Sequence, residues 1–113
     1  MATKAIIKTL PIAVRVDILE RAFNLESYLL ITQAINEKYA LLLGRTTVHK
    51  FTSTFFKKFN DLISLGMPIK VIVRYQLHIE AIGIDLIKKQ LVERLMGRKE
   101  HLFSYLDEQE ANQ

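Results

Sequence analysis

The chain contains no cysteine among its 113 residues. Disulfide bonds, thiolate zinc sites and cysteine nucleophiles are therefore excluded. Charged residues also interrupt the apolar ones throughout, so no run reaches the roughly 18 residues that a membrane-spanning helix needs. Half of the residues are nevertheless apolar, which is enough for one hydrophobic core. We expect one compact cytoplasmic domain, and the first ten residues lack the pattern of a secretory signal.

The charged residues are distributed unevenly. A net charge of +4 favours an acidic partner without naming one. Three of the last seven residues are acidic, whereas the segment 44–60 contains no acid. We therefore expect a local basic face on this segment, although an ordinary solvated helix face is the alternative. The positive charges of the segment are Arg45, Lys50, Lys57 and Lys58, with His49 beside them.

Apolar residues at steps of three and four predict two helices in the first part of the chain. The first helix starts at Leu10 and Pro11, because proline is tolerated in a first turn, and it runs to about Phe23. The second runs from about residue 26 to residue 42, and Gly44 is expected to end it. This second helix is predicted to bury Leu29, Ile31, Ile35, Tyr39 and Leu42.

A third helix is predicted to run from an N-cap at Thr46 or Thr47 to about Leu65, where Gly66 stops it. Its inward stripe has steps of three, four, four and three, which place the side chains along one face. This stripe consists of Val48, Phe51, Phe55, Phe59 and Leu62. The outward side is expected to carry His49, Lys50, Thr52, Ser53, Lys57 and Asn60.

The segment after Pro68 is ambiguous, because residues 69–80 alternate like a strand but also show heptad-like apolar spacing. We favour a helix, because a lone strand would find a partner only in the short segment KAIIK near the start. Beyond Gly83 a further stripe is predicted, with a kink or break at Gly97; it comprises Ile84, Ile87, Leu91, Leu95, Leu102 and Leu106. Self-association is expected to bury a larger apolar set, Ile72, Ile79, Ile82, Leu86, Leu91, Val92 and Leu95. The alternative is a monomer of four or five helices that buries this surface internally.

No pattern of residues predicts an enzyme. The three histidines, His49, His78 and His101, are far apart and lack metal-binding spacing. The four glycines stand singly, so no glycine-rich phosphate loop is present. We predict a non-enzymatic protein without cofactor or metal.

The arrangement that suggests a function is two helices, a turn at Gly44 and a third helix with a basic, hydroxyl-rich face. The major groove of DNA admits such a helix, whose outer side chains can contact phosphates and base edges. We therefore predict a helix-turn-helix that binds double-stranded DNA. The predicted DNA-binding residues are Arg45, Thr46, Thr47, His49, Lys50, Ser53, Lys57 and Lys58.

Residues 10–59 also resemble the N-terminal part of the small terminase-like proteins of Mu-like phages. The resemblance lies in Leu10-Pro11 with Val14-Arg15 and Ile18, in Ser27-Tyr28, and in the segment Arg45-Thr46-Thr47-Val48-His49-Lys50-Phe51. It covers under half of the chain. It implies an oligomer in the host cytoplasm that recognises viral DNA and passes it to a packaging motor.

Overall, the sequence predicts an all-α protein with a DNA-binding region over residues 1–66 and a helical oligomerisation region over residues 67–113. A ribbon-helix-helix protein is an alternative, with KAIIK as the strand, but Ile6 and Ile7 would then lie on opposite faces and one would point at DNA. A second alternative is a helical protein-interaction module, such as a phage-encoded inhibitor or adaptor.

Overall fold

A computed structural model of the chain describes residues 7–96, and this part is helical without any strand. The prediction of an all-α protein is therefore confirmed. A short 3-10 turn, Ile7–Thr9, precedes the α-helices. These are α1 (Ile12–Phe23), α2 (Tyr28–Tyr39), α3 (Arg45–Ser64), α4 (Ile69–Arg74), α5 (Gln76–Ile82) and α6 (Ile84–Leu95).

The chain divides into two compact units between residues 58 and 59, within α3. The first unit contains α1, α2 and most of α3, and the second contains the end of α3 with α4, α5 and α6. The boundary predicted at residue 66 separates a DNA-binding region from an oligomerisation region, and this assignment of functions stays a prediction.

The first unit is built around one apolar cluster that joins all three of its helices. Phe51, which is half-buried, packs against this cluster. Leu29 and Leu42, which the helical period placed in the core, are instead exposed. The buried members of the cluster are Ile7, Val14, Ile18, Ile31, Ile35, Leu43 and Val48.

The burial of Ile7 bears on the ribbon-helix-helix alternative. Residues 4–6 of the KAIIK segment lie outside the described residues, but Ile7 belongs to the 3-10 turn and is buried in the core. A strand of that fold would need alternating residues in extended backbone. Residues 7–9 form a 3-10 turn and are not extended. The ribbon-helix-helix alternative is therefore contradicted at this end of the proposed strand.

Helix α1 ends at Phe23, as predicted, but the left-handed residue that follows its end, Leu25, was not predicted. Leu25 has a φ of 65°, in the left-handed region that glycine usually occupies at this position. Its N–H donates to the carbonyl of Ala22, and the N–H of Glu26 donates to that of Arg21, at 3.0 and 3.1 Å. This is a Schellman motif with leucine in place of glycine.

Helix α2 begins and ends inside its predicted bounds. The Ser27 hydroxyl caps its start by accepting from the N–H of Leu30 at 3.2 Å. At the other end Ala40 adopts a left-handed conformation with a φ of 54°. The N–H of Leu41 then donates to the carbonyl of Asn36 at 3.0 Å. The prediction that Gly44 ends this helix was wrong, because Ala40 had already ended it.

In the second unit, glycine and proline end and start helices where the sequence placed them. Gly66, with a φ of 102°, ends α3, and Pro68 occupies the N-cap position of α4. Residues 69–80 are helical, as favoured, with a break at Tyr75 between α4 and α5. Gly83 separates α5 from α6 with a φ of 108°.

The apolar surface predicted for self-association is partly used inside the chain. Ile72, Ile79 and Leu91 are buried. Leu86 and Leu95 are exposed, Leu95 to 68%. Gly97, Leu102 and Leu106, which belong to the break and the apolar stripe predicted beyond Gly83, lie outside the described residues. Over residues 7–96, no helix has both the length and the apolar character needed to cross a membrane.

Candidate nucleic-acid interface

Helix α3 has a clearly defined inward face. Val48, Phe55, Phe59 and Leu62 are buried, as their spacing predicted, and Phe51 is half-buried. These residues fall on one side of a helix with 3.6 residues per turn. The outward face of α3 is fixed by the same period, and every one of the eight predicted DNA-binding residues is exposed.

Thr52 was predicted to face outward, but it is fully buried. Its hydroxyl donates to the backbone carbonyl of His49 at 3.0 Å, within the same helix. A buried hydroxyl with a partner avoids the penalty of an unpaired polar group. Thr52 lies one turn after Val48 and three residues before Phe55, so its spacing alone indicates the inward face. The prediction was wrong because it followed the polar character of the side chain.

The predicted N-caps were also wrong. Helix α3 begins at Arg45, and the carbonyl of Gly44 accepts from the N–H of Val48 at 3.1 Å. Thr46 and Thr47 therefore lie inside the first turn, with exposed side chains. This first turn contains no acidic residue, so no carboxylate there offsets the positive end of the helix dipole.

The exposed residues of α3 form a central stripe with two flanks. Steps of four, three and four place the stripe residues one above another. On one flank lie Arg45 and His49, and on the other lie Thr47 and Lys58, according to the period of the helix. The central stripe, directly opposite the buried face, consists of Thr46, Lys50, Ser53 and Lys57.

Three cations of this face have no side-chain partner in the part of the chain that the structure describes. The side chains of Arg45, Lys50 and Lys57 make no hydrogen bond or ion pair with any residue there. The sequence contains no acidic residue between Glu37 and Asp61. The stripe and its flanks thus carry positive charge and hydroxyl groups without a carboxylate among them.

Two acidic groups of the first unit, Asp17 and Glu26, are paired within that unit. Asp17 on α1 accepts from Arg21 Nε at 2.8 Å, from Lys38 Nζ at 2.9 Å and from the Tyr39 hydroxyl at 2.8 Å. Partial burial alone would raise the pKa of Asp17, but the hydrogen bonds from Lys38, Arg21 and Tyr39 together outweigh it, and the pKa is lowered. Glu26 pairs with Arg21 at 3.3 Å. We call these five residues the Asp17 clasp; it ties α1 to α2.

The connection between α2 and α3 is held by one side chain, that of Asn36. Its Nδ2 donates to the carbonyl of Leu43 at 2.9 Å, and its Oδ1 accepts from the N–H of Leu43 at 2.8 Å. Leu43 is buried in the apolar cluster, so these bonds fix the backbone immediately before α3. This role was not predicted from the sequence, because an asparagine inside a helical period carries no signal for a partner seven residues later.

Two aromatic contacts also hold α3 to the other helices of its unit. The rings of Tyr28 and His49 meet edge to face, with centroids 4.6 Å apart. Phe23 and Phe56 lie 6.3 Å apart in a tilted arrangement. His49 is therefore oriented by Tyr28 while it remains exposed. Pairs of this kind add about 0.5–1.5 kcal/mol beyond the area they bury.

Metal coordination is not supported by the described residues, since no group of three His, Cys, Asp or Glu side chains among residues 7–96 is placed to hold an ion. His78 lies on α5, and His101 lies outside the described residues.

Comparison with known proteins adds no identification. No family model, no curated protein and no solved structure matches this chain. The resemblance of residues 10–59 to the small terminase-like proteins therefore stays a prediction.

Proposed function

We propose that this chain is a non-enzymatic DNA-binding protein that places α3 in the major groove of duplex DNA, in the manner of a helix-turn-helix. The observation that carries the proposal is the exposed face of α3. Its central stripe holds Lys50 and Lys57 without side-chain partners among the described residues, and no acid lies between residues 38 and 60.

Such a face suits DNA for two physical reasons. Positive side chains displace the counterions of the phosphates, which provides affinity for any duplex. Hydroxyl groups and lysines can also reach base edges in a groove about 12 Å wide, which admits a helix. A core on the opposite face holds the helix, as buried Val48 and Phe55 do here.

The alternative of an ordinary solvated helix face predicts mixed charges. Helix α6 provides the comparison within the same chain. Its exposed or half-exposed residues include Asp85 and Glu93 as well as Lys88 and Lys89, and Lys88 pairs with Asp61 at 3.0 Å. The face of α3 between residues 45 and 60 has one sign of charge only. This difference favours a ligand of opposite charge.

The second part of the proposal is self-association through the C-terminal unit. It rests on exposed apolar side chains of α5 and α6, Leu77, Leu86 and Leu95, which are exposed to 83%, 45% and 68%. Copies joined in this way would present several α3 helices to one DNA molecule and so raise the overall affinity. A viral packaging adaptor in the host cytoplasm would use such an assembly. Another protein bound to the same side chains is the competing interpretation.

The experiment is a titration of labelled duplex DNA at several salt concentrations, with the mass in solution measured alongside. Binding should weaken by about 0.9 log units per log unit of salt for each phosphate neutralised. The double variant Arg45→Ala, Lys50→Ala should weaken binding and retain its helical circular dichroism. The matched control is Lys89→Ala, which removes an exposed lysine of α6.

Two results would contradict the DNA-binding part of the proposal. Absence of binding by the unmodified chain at low salt would exclude the DNA function. Equal losses in the double variant and in Lys89→Ala would exclude α3 as the contact. A monomeric mass at all concentrations would remove self-association, without affecting the DNA-binding part.

A further inference from the structure

We infer that Lys50 determines the sequence preference of this protein and selects guanine, with Thr46 and Ser53 on either side of it, whereas Arg45 and Lys58 contact the two phosphate backbones. This inference rests on the proposed DNA function and assigns separate roles within the same face. It depends on the register of α3, which the buried residues fix.

The register separates the centre of the face from its flanks. At about 100° per residue, Thr46, Lys50 and Ser53 fall within about 60° of one another, opposite buried Val48 and Phe55. Arg45 and Lys58 lie about 110° to either side of that centre. A helix that inserts its central line toward the bases therefore presents these two long side chains to opposite walls of the groove.

The chemistry of the central side chains favours one base. Lysine donates to the O6 and N7 acceptors of guanine, whereas serine and threonine hydroxyls accept or donate to several bases. Thr46 and Ser53 are seven residues apart, so this segment is about 10 Å long. At about 3.4 Å per base pair, it spans about three steps of the duplex. Lys50 lies near the middle of this segment. Of the three central residues Thr46, Lys50 and Ser53, it is the one that carries a charge.

Lys57 lies on the same line, but about 16 Å along the helix from Thr46. The groove curves away from a straight helix over this length, so Lys57 meets a phosphate and not a base. This makes it a matched control for Lys50. Both lysines are exposed, both lie on the central line, and neither side chain has a partner among the residues the structure describes.

The test is selection of binding sites from a pool of random duplexes by the full chain and by three variants: Lys50→Gln, Lys57→Gln and Arg45→Gln. Selected sites should contain a guanine at a fixed position, and Lys50→Gln should change that position to adenine, because glutamine pairs with adenine N6 and N7. The preference between the two bases should change by roughly 5- to 150-fold. Lys57→Gln and Arg45→Gln should weaken all sites alike and lower the salt slope by about 0.9 each.

The outcomes separate this inference from the proposed function. A chain that binds no duplex overturns both. A chain that binds, but whose preferred base is the same with Lys50→Gln as without it, overturns the role of Lys50 only. Equal affinity for duplex RNA also overturns the inference, because the deep, narrow major groove of RNA does not admit a helix.

Discussion

Replacing Leu25 by glycine should stabilise the protein, although the change removes a large apolar side chain. Leu25 has a φ of 65° and is 91% exposed. A left-handed conformation costs an L-residue about 1–2 kcal/mol, and glycine does not pay this cost. Against this gain, glycine loses about 0.5–1 kcal/mol more backbone entropy on folding. The small buried fraction of the side chain contributes only about 0.2 kcal/mol, taken from about 2 kcal/mol for a fully buried leucine.

The expected net gain for Leu25→Gly is about 0.5 kcal/mol, or about 2–4 °C in Tm for a domain of this size. Urea unfolding followed by circular dichroism measures the first quantity, and a thermal scan measures the second. Leu25→Ala is the control for the side chain. Alanine keeps the backbone strain, so its free energy of unfolding should stay close to that of the unmodified chain.

The reverse change is available at Gly66, which ends α3 in the same Schellman motif. An added Cβ there would meet no atom within 4 Å, so the cost of Gly66→Ala comes from the backbone alone. We expect a loss of about 1 kcal/mol. A loss of stability in Leu25→Gly would contradict the first prediction, because it would mean that the Leu25 side chain has a structural partner.

Two further predictions concern the first unit. Asp17→Asn should lower the free energy of unfolding at pH 7 by about 1.5–3 kcal/mol, because it removes the charge that accepts the clasp hydrogen bonds. The folded-state pKa of Asp17 is lowered, so its contribution is present above the unfolded value of about 3.9 and is lost as the pH falls through the folded value. The plots of stability against pH for the variant and the unmodified chain should converge below pH 4, and parallel plots would contradict this. The control is Glu20→Gln, which removes an exposed carboxylate of α1. Phe55→Ala should cost about 3–5 kcal/mol in urea unfolding, since Phe55 is buried, and a cost below about 1 kcal/mol would place the core face of α3 elsewhere.

The helices were predictable where a local signal sets their ends. Pro68, Gly66 and Gly83 lie at the boundaries that their chemistry favours. The period of α3 likewise placed all eight predicted contact residues on its exposed surface. Spacing along one helix is a local property, so it could be read without knowledge of the rest of the fold.

The remaining features could not be predicted from residue type. The end of α2 at Ala40 is accompanied by the bonds from Asn36 to Leu43, and nothing in the composition of residues 36–43 indicates them. Leu25 and Ala40 adopt conformations that are rare for side chains other than glycine, so a rule based on glycine could not find them. The burial of Thr52 was missed because residue type was given more weight than position.

The ion pair between Arg21 and Glu26 occupies the place where a Schellman motif usually has an apolar contact. Many salts slightly strengthen an apolar contact. The attraction in a partly exposed ion pair such as this one is instead weakened as salt shortens the screening length, which is about 10 Å at 0.1 M. Ionic strength should therefore act both on the phosphate contacts proposed for α3 and on the corner between α1 and α2. A variant with apolar residues at positions 21 and 26 would make this corner resistant to salt. The salt dependence of the proposed DNA binding would then report on α3 alone.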